Sequence, residues 1–153
     1  MTYYLDSSAI AKIYIEEQGS EWVRRLRSRS SRGEVFLCEL SGAEVFAALH
    51  RRRRAGNLSE EDLQSACNFF RRDFERFFTR LPVRKATVDR GMHLIQKYPL
   101  RGYDSIQLAT AISFLNGLKS LNGEFLNFVS SDKVLNDAAQ SEGLMVINPA
   151  ELP

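Results

Sequence analysis

The stretch TYYLDSSAIAKIY, residues 2–14, decides the fold. TYYL (2–5) reads as a short buried strand, and a lone acid, Asp6, closes it. Ser7 or Ser8 then caps a helix that runs to about residue 17, where Gly19 stops it. A buried strand that passes through one acid into an apolar helix is the first unit of an alternating β/α chain.

The same pattern recurs outward from that unit. Residues 20–32 predict an arginine-rich amphipathic helix with Trp22, Val23 and Leu26 on its apolar side, and VFLC (35–38) a second strand. Ser41 opens a helix that carries Val45 and Leu49, ends in Arg51–Arg54 and stops at Gly56. Ser59, Glu60, Glu61 and Asp62 form a helix-start signature. From there Leu63, Ala66, Phe70, Phe74, Phe77 and Phe78 make one apolar stripe as far as residue 78. Arg72, Arg76 and Arg80 recur every four residues on another side of that helix. LPVR (81–84) predicts a short strand, and Thr87 caps a helix that runs to about Tyr98. Pro99 to Gly102 break it before the most apolar helix, 103–117. LNFVS (126–130) and LMVIN (144–148) complete the strands, with a helix at 132–142 between them. The expected fold is an α/β three-layer α/β/α sandwich, a single domain over residues 1–153, with a central mainly parallel sheet of four to five strands.

The 153 residues, 44% hydrophobic and 26% charged, suit one globular domain. No apolar run reaches the roughly 18 residues of a membrane span. The start MTYYLDSS lacks a charged-then-apolar leader, so a cytoplasmic location is expected. Cys38 and Cys67 read as free core thiols. His50 and His93 have no ligand-spaced neighbours, which speaks against a histidine-based metal site.

Four acids sit where a polar element meets an apolar run: Asp6, Glu44, Asp104 and Asp132. Asp6 and Asp132 close strands, whereas Glu44 and Asp104 fall early in helices. In a parallel α/β sheet, ligands bind beyond the carboxyl ends of the strands where strand order reverses. If the first and fourth strands are neighbours, Asp6 and Asp132 flank that crevice. Four carboxylates gathered there raise each other's pKa and call for a cation. Oxygen ligands select a hard ion, Mg²⁺ or Mn²⁺, which serves phosphate chemistry. Each acid also has a plain reading, as an N-cap for Asp6 and Asp132 and as an ordinary first-turn acid for Glu44 and Asp104. Ser7, Ser8, Ser130 and Ser131 flank the strand-end acids, where hydroxyls can orient carboxylates or cap helices. Neither a Ser-His-Asp arrangement nor a phosphate-cradling glycine loop is present in the sequence.

The net charge of +2 is unevenly spread, since thirteen of the sixteen arginines fall between Arg24 and Arg80. With the four acids neutralised by metal, a clear excess of bases remains. That excess favours a polyanionic partner, with Arg51, Arg52 and Arg53 in one row and Arg72 and Arg76 in another. The competing reading of Arg51–Arg54 is a solvated helix end favoured by the helix dipole.

With these blocks in order, LDSSAIAK, LSGAEVFAAL, YDSIQLATA, VSSDKVLNDAA and MVIN, the chain resembles the PIN domain in its VapC-type toxin branch. The resemblance implies a metal-dependent endoribonuclease acting on single-stranded RNA. Asp6, Glu44, Asp104 and Asp132 match its acidic positions, and Asp6 and Asp104 match those most consistently assigned to Mg²⁺. Ser8 matches the small hydroxyl position after the first acid, with Asn136 or Asp137 a looser further match. It also implies a cognate antitoxin and a homodimer. Three alternatives stand beside it: a PIN-type nuclease of RNA processing without antitoxin, a silent RNA-binding module, and a phosphoacceptor receiver domain. The last would need an acidic pair after the first strand and a lysine after the fifth, where this chain has Asp6 alone and Asn148–Pro149.

Overall fold

A computed structural model describes residues 1–121 and 125–152. Among these residues five strands, β1 (Thr2–Leu5), β2 (Val35–Cys38), β3 (Thr79–Leu81), β4 (Leu126–Val129) and β5 (Met145–Ile147), form one sheet in the order β3-β2-β1-β4-β5. Every pairing is parallel, and Leu5 lies opposite Val129 in the β1–β4 register. Among the described residues, seven α-helices connect and cover the strands: α1 (Ser7–Tyr14), α2 (Ser20–Arg29), α3 (Ser41–Arg54), α4 (Glu60–Arg76), α5 (Lys85–Lys97), α6 (Gly102–Leu121) and α7 (Lys133–Ser141). A 3₁₀ turn at Pro149–Glu151 follows β5.

Neighbouring strand residues point to opposite faces, because the side-chain period of a strand is two. Leu5, Leu37 and Val129 therefore join Ile10, Val23, Leu49 and Phe70 in a core under α1 to α4. Tyr4, Cys38 and Phe128 face the other way, with Leu94, Leu108, Ile112 and Leu135 of α5 to α7. Strands buried on both faces are why these short runs are almost wholly apolar. The expected three-layer α/β/α sandwich is the architecture observed.

Several boundaries differ from the sequence reading. β3 lies at Thr79–Leu81, earlier than 81–84. Its partner residues on β2 fix it there, Phe36 opposite Thr79 and Cys38 opposite Leu81, and Pro82 has no N–H with which to extend the ladder. α5 begins at Lys85, so Thr87 is a first-turn residue whose hydroxyl accepts the Arg84 backbone N–H at 3.3 Å. The cap of α1 is neither Ser7 nor Ser8 but Asp6. α4 stops at Arg76; Phe77 and Phe78 stay buried, and both their amides donate to the Asp73 carbonyl. α6 is longer than expected and runs to Leu121.

The aromatic stripe of α4 is core: Phe70 is 1% exposed and its ring meets Tyr14, Phe46 and Phe74. Cys38 and Cys67 are free and buried, as expected. Gly19 takes a φ of 86° before α2, and a side chain there would collide with the Pro149 carbonyl. Among the described residues no helix is long and apolar enough to cross a membrane.

Candidate active site

The sheet reverses its winding between β1 and β4, and both strands end at the same edge. Asp6 follows β1 directly, and its backbone N–H donates to the Val129 carbonyl at 3.1 Å. Asp132 comes three residues after β4 and caps α7. Glu44 in the first turn of α3 and Asp104 in the first turn of α6 approach from the flanks. All four acids line one cleft of about 390 Å³, with Ser7, Ser8, Ala43, Ala47, Arg51 and Tyr103 as its other walls.

Each carboxylate has its own local support. Asp6 is 4% exposed. Its Oδ1 accepts the Ser8 hydroxyl at 2.7 Å and the Ala9 N–H at 3.0 Å. Burial outweighs these bonds and pushes its pKa up from 3.8 to about 6. Ser8 also accepts the Ser131 N–H at 3.0 Å, so one hydroxyl ties the end of β1 to the loop after β4. Asp132 Oδ1 accepts the Leu135 N–H at 2.9 Å. Asp104, half-buried, has its pKa raised by burial first and then by the charges of Asp132 and Glu44, against a smaller opposing pull from Arg101. That mutual repulsion is the electrostatic signature of acids sharing one space.

Of the second-rank residues expected from sequence, Ser8 takes part through its hydroxyl. Ser131 takes part through its backbone; its own Oγ is buried without a hydrogen-bond partner among the described residues. Asn136 donates from Nδ2 to the Ser130 carbonyl at 2.9 Å, pinning α7 to the end of β4, and its Oδ1 is buried without a partner among the described residues. The arginines divide. Arg51 lines the cleft. Arg52 pairs with Glu17, and Arg53 Nε pairs with Glu60 at 3.2 Å. Arg72 lies 3.7 Å from the buried Asp73 carboxylate and over the Phe69 ring. Arg52 and Arg72 face a different pocket, walled by α1 and α4. Arg76 is the last residue of α4, outside the cleft lining.

Two residues escaped the sequence reading. Tyr103, 62% exposed, presents an aromatic ring beside Asp104 in the cleft wall. Gln107, 1% exposed, lies one turn after Asp104 beneath the cleft. Its Oε1 accepts the Tyr4 hydroxyl at 2.6 Å, and its Nε2 donates to Ser7, Ser41 and Glu44. Burial raises the Tyr4 pKa well above its ordinary value, which keeps the phenol a donor. The available signal was a lone amide inside the apolar run SIQLATAI.

Among the described residues no three acids, histidines or cysteines converge tightly enough to form a ready-made cation cage. The donor set nevertheless suits Mg²⁺ or Mn²⁺: it is all oxygen, and Mg²⁺ keeps several waters and takes only one or two carboxylates. Burial raises the pKa of both Asp6 and Asp104, a cost that a nearby cation would offset.

The profile of the PIN domain family matches residues 3–140. The chain belongs to the PIN domain family. Two curated relatives are ribonucleases VapC45 and VapC49 of Mycobacterium tuberculosis. Each is 35% identical over 113 residues, which span 72% of this chain and 74% of the relative. Among solved structures, FitAcB from Neisseria gonorrhoeae superposes with a TM-score of 0.63 at 18% identity, covering 99% of this PIN domain and all of that chain. A toxin–antitoxin complex from Klebsiella pneumoniae superposes at 0.56 with 15% identity, covering 97% and 98% of the two chains. At such identities the solved structures establish a shared fold. The curated relatives place this PIN domain beside the VapC-type ribonucleases.

Proposed function

We propose that the protein is a Mg²⁺- or Mn²⁺-dependent endoribonuclease that cleaves single-stranded RNA, the toxin of a type II toxin–antitoxin pair. The observation that carries this reading is the meeting of Asp6, Glu44, Asp104 and Asp132 in one cleft at the point where the sheet reverses. Its support from relatives is the name ribonuclease borne by two PIN-domain proteins 35% identical to this chain.

A divalent ion, when bound in such a cleft, would supply a lowered pKa for an attacking water and compensation for charge on the leaving oxygen. Asp6 and Asp104 would hold the ion, and Glu44 and Asp132 would complete its polar surroundings. Asp6 is pre-oriented by Ser8 and the Ala9 amide, and Asp132 by the start of α7. No histidine is needed as base. Ala43, Ala47 and Arg51 follow one another at four-residue spacing along α3, making a low wall that ends in a guanidinium. Arg51 is two helical turns, roughly 10 Å, beyond Glu44. There it neutralises a phosphate a short way from the scissile one, and the Tyr103 ring offers an unpaired base a stacking face.

The same reading carries a cognate antitoxin, a homodimer and a cytoplasmic setting. A second chain has a surface to cover in the groove of about 590 Å³ that contains the exposed side chains Val88, Met92 and Ile95.

The test is incubation of an unstructured RNA with the purified protein in Mg²⁺, Mn²⁺ or EDTA, alongside Asp104→Asn. Cleavage is expected with either metal and is abolished by EDTA and by the substitution. Cleavage that survives EDTA refutes the metal-dependent reading.

A further inference from the structure

We infer that Gln107 is a positioning residue of the acidic site, holding Glu44 in place through one buried amide. The inference rests on the nuclease reading for its functional consequence, but its geometry stands by itself. Gln107 is 1% exposed on α6, one turn past Asp104, so it lies under the cleft and not in it. Its Nε2 donates to Glu44 Oε1 at 3.2 Å, to Ser41 Oγ at 2.9 Å and to Ser7 Oγ at 3.0 Å. Its Oε1 accepts from Tyr4 at 2.6 Å. One side chain of the second turn of α6 thereby links that helix to β1, the first turn of α1 and the first turn of α3. Asp6 follows β1, Glu44 belongs to α3 and Asp104 to α6, so three of the four acids hang from elements that this amide joins.

The orientation of the amide is determined by its neighbours. Turning it over would set Oε1 against the Glu44 carboxylate, oxygen against oxygen. With the nitrogen toward Glu44, a neutral donor faces an anion, which strengthens the bond without adding charge to an already negative site. Nε2 has two hydrogens for three acceptors, so Ser7 and Ser41 share with Glu44 and their own hydroxyl hydrogens stay available. An apolar side chain at this position would strand the Tyr4 hydroxyl and Ser41 in the core. A carboxylate would repel Glu44. Glutamine has the length, the neutrality and the paired donor and acceptor that the position demands.

The test is a double-substitution cycle read by Mn²⁺ binding in titration calorimetry on the full chain, using Gln107→Met and Glu44→Gln singly and together. Loss of an outer group that orders the surroundings of a bound ion weakens metal binding by about ten- to a hundredfold; that is expected of Glu44→Gln, and of Gln107→Met, which leaves Glu44 unheld. Because Gln107 acts through Glu44, the double variant is expected to bind only about as weakly as Glu44→Gln alone. A purely structural role makes the two losses multiply, which overturns the inference. Mn²⁺ binding by Gln107→Met or Glu44→Gln within about twofold of the wild type overturns it too. If circular dichroism shows Gln107→Met unfolded, Tyr4→Phe takes its place in the same cycle. That change frees the amide to turn and is expected to weaken Mn²⁺ binding several-fold, again without adding to Glu44→Gln, and unchanged binding overturns the inference. A wild type that binds no Mn²⁺ overturns this inference and the metal-dependent nuclease reading together. A wild type that binds Mn²⁺ while the variants behave additively overturns only the role of Gln107.

Discussion

Replacing Asp6 with asparagine should stabilise the metal-free protein, although it removes a residue of the candidate active site. Asp6 is 4% exposed and its pKa lies at about 6 instead of 3.8. A carboxyl whose folded pKa is raised binds its proton more tightly in the native state, so stability falls as pH climbs through the interval from 3.8 to about 6. Above that interval the ionised group costs about 3 kcal/mol, because each tenfold change in proton affinity is worth about 1.4 kcal/mol. Asparagine caps a helix as well as aspartate does. The side chain can therefore keep its bonds to Ser8 and Ala9 while shedding the charge. Loss of the favourable contact between the carboxylate and the helix dipole offsets about 0.3–1 kcal/mol of the gain. The net expectation for Asp6→Asn at pH 7.5 in EDTA is a gain of roughly 2 kcal/mol, about 4–8 °C in melting temperature for a chain of this size. The gain should shrink to near zero by pH 4, where both proteins are neutral at this position. Millimolar Mn²⁺ should reverse the order, because the wild type gains binding energy that the variant cannot. The assay is urea denaturation and thermal melting across pH 4–8, with and without metal. A variant less stable than wild type in EDTA at every pH would refute the reasoning, since the buried carboxylate would then carry no ionisation cost.

Arg51→Gln should weaken RNA binding, measured without metal on an Asp6→Asn background, and flatten the slope of log affinity against log salt by about 0.7. Changing Arg52 and Arg53 together should leave that slope within about 0.3 of its starting value, because those side chains pair with Glu17 and Glu60; equal effects from both variants would remove Arg51 from its place on the RNA path. Phe70→Ala should cost about 3–5 kcal/mol in urea denaturation, since a 1%-exposed ring leaves a cavity among Tyr14, Phe46 and Phe74. A loss below about 1 kcal/mol would mean that this core collapses around the gap.

The acids were legible because their place in the chain is also their place in the fold. A strand that ends in aspartate before an apolar helix puts that carboxylate at the carboxyl edge of the sheet, whatever the tertiary detail. Asp6 and Asp132 followed from that rule once β1 and β4 proved to be neighbours. The arginines were less legible, and helical geometry gives the reason. Consecutive residues of a helix fan out at about 100°, so a run of four cannot share one task. Arg51 continues the line of Ala43 and Ala47 into the cleft, while Arg52 and Arg53 turn toward acids on other segments. Glu17 comes from the loop after α1 and Glu60 from the start of α4, and no local pattern announces either meeting. Gln107 was invisible for the same reason: its four partners come from β1, α1 and α3, up to 103 residues away. The sequence pattern sets β3 two residues too late because its register is dictated by β2, and the proline that ends the strand looks locally like part of it.

The N-cap reading and the functional reading of Asp6 and Asp132 compete in the sequence, but they are not rivals in the fold. A helix that starts at the carboxyl edge of a parallel sheet needs an acceptor for its first amides, and the acceptor stands at the rim of the crevice where ligands bind. A carboxylate has two oxygens and about four lone-pair sites, so capping does not exhaust it. Asp6 gives Oδ1 to Ser8 and Ala9, and Asp132 gives Oδ1 to Leu135, and both still line the cleft. What separates an ordinary cap from a site residue is the energetic cost. An exposed cap settles at an ordinary pKa, because its helix stabilises the charge and water solvates the rest. Asp6 has the cap bonds and is still driven upward by burial, which no helix start requires. The fold retains an ionisable group where a serine or asparagine would cap as well without that cost. On the proposed nuclease reading, a bound divalent cation would offset that cost, and four oxygen-bearing acids in one cleft have the donor chemistry for it.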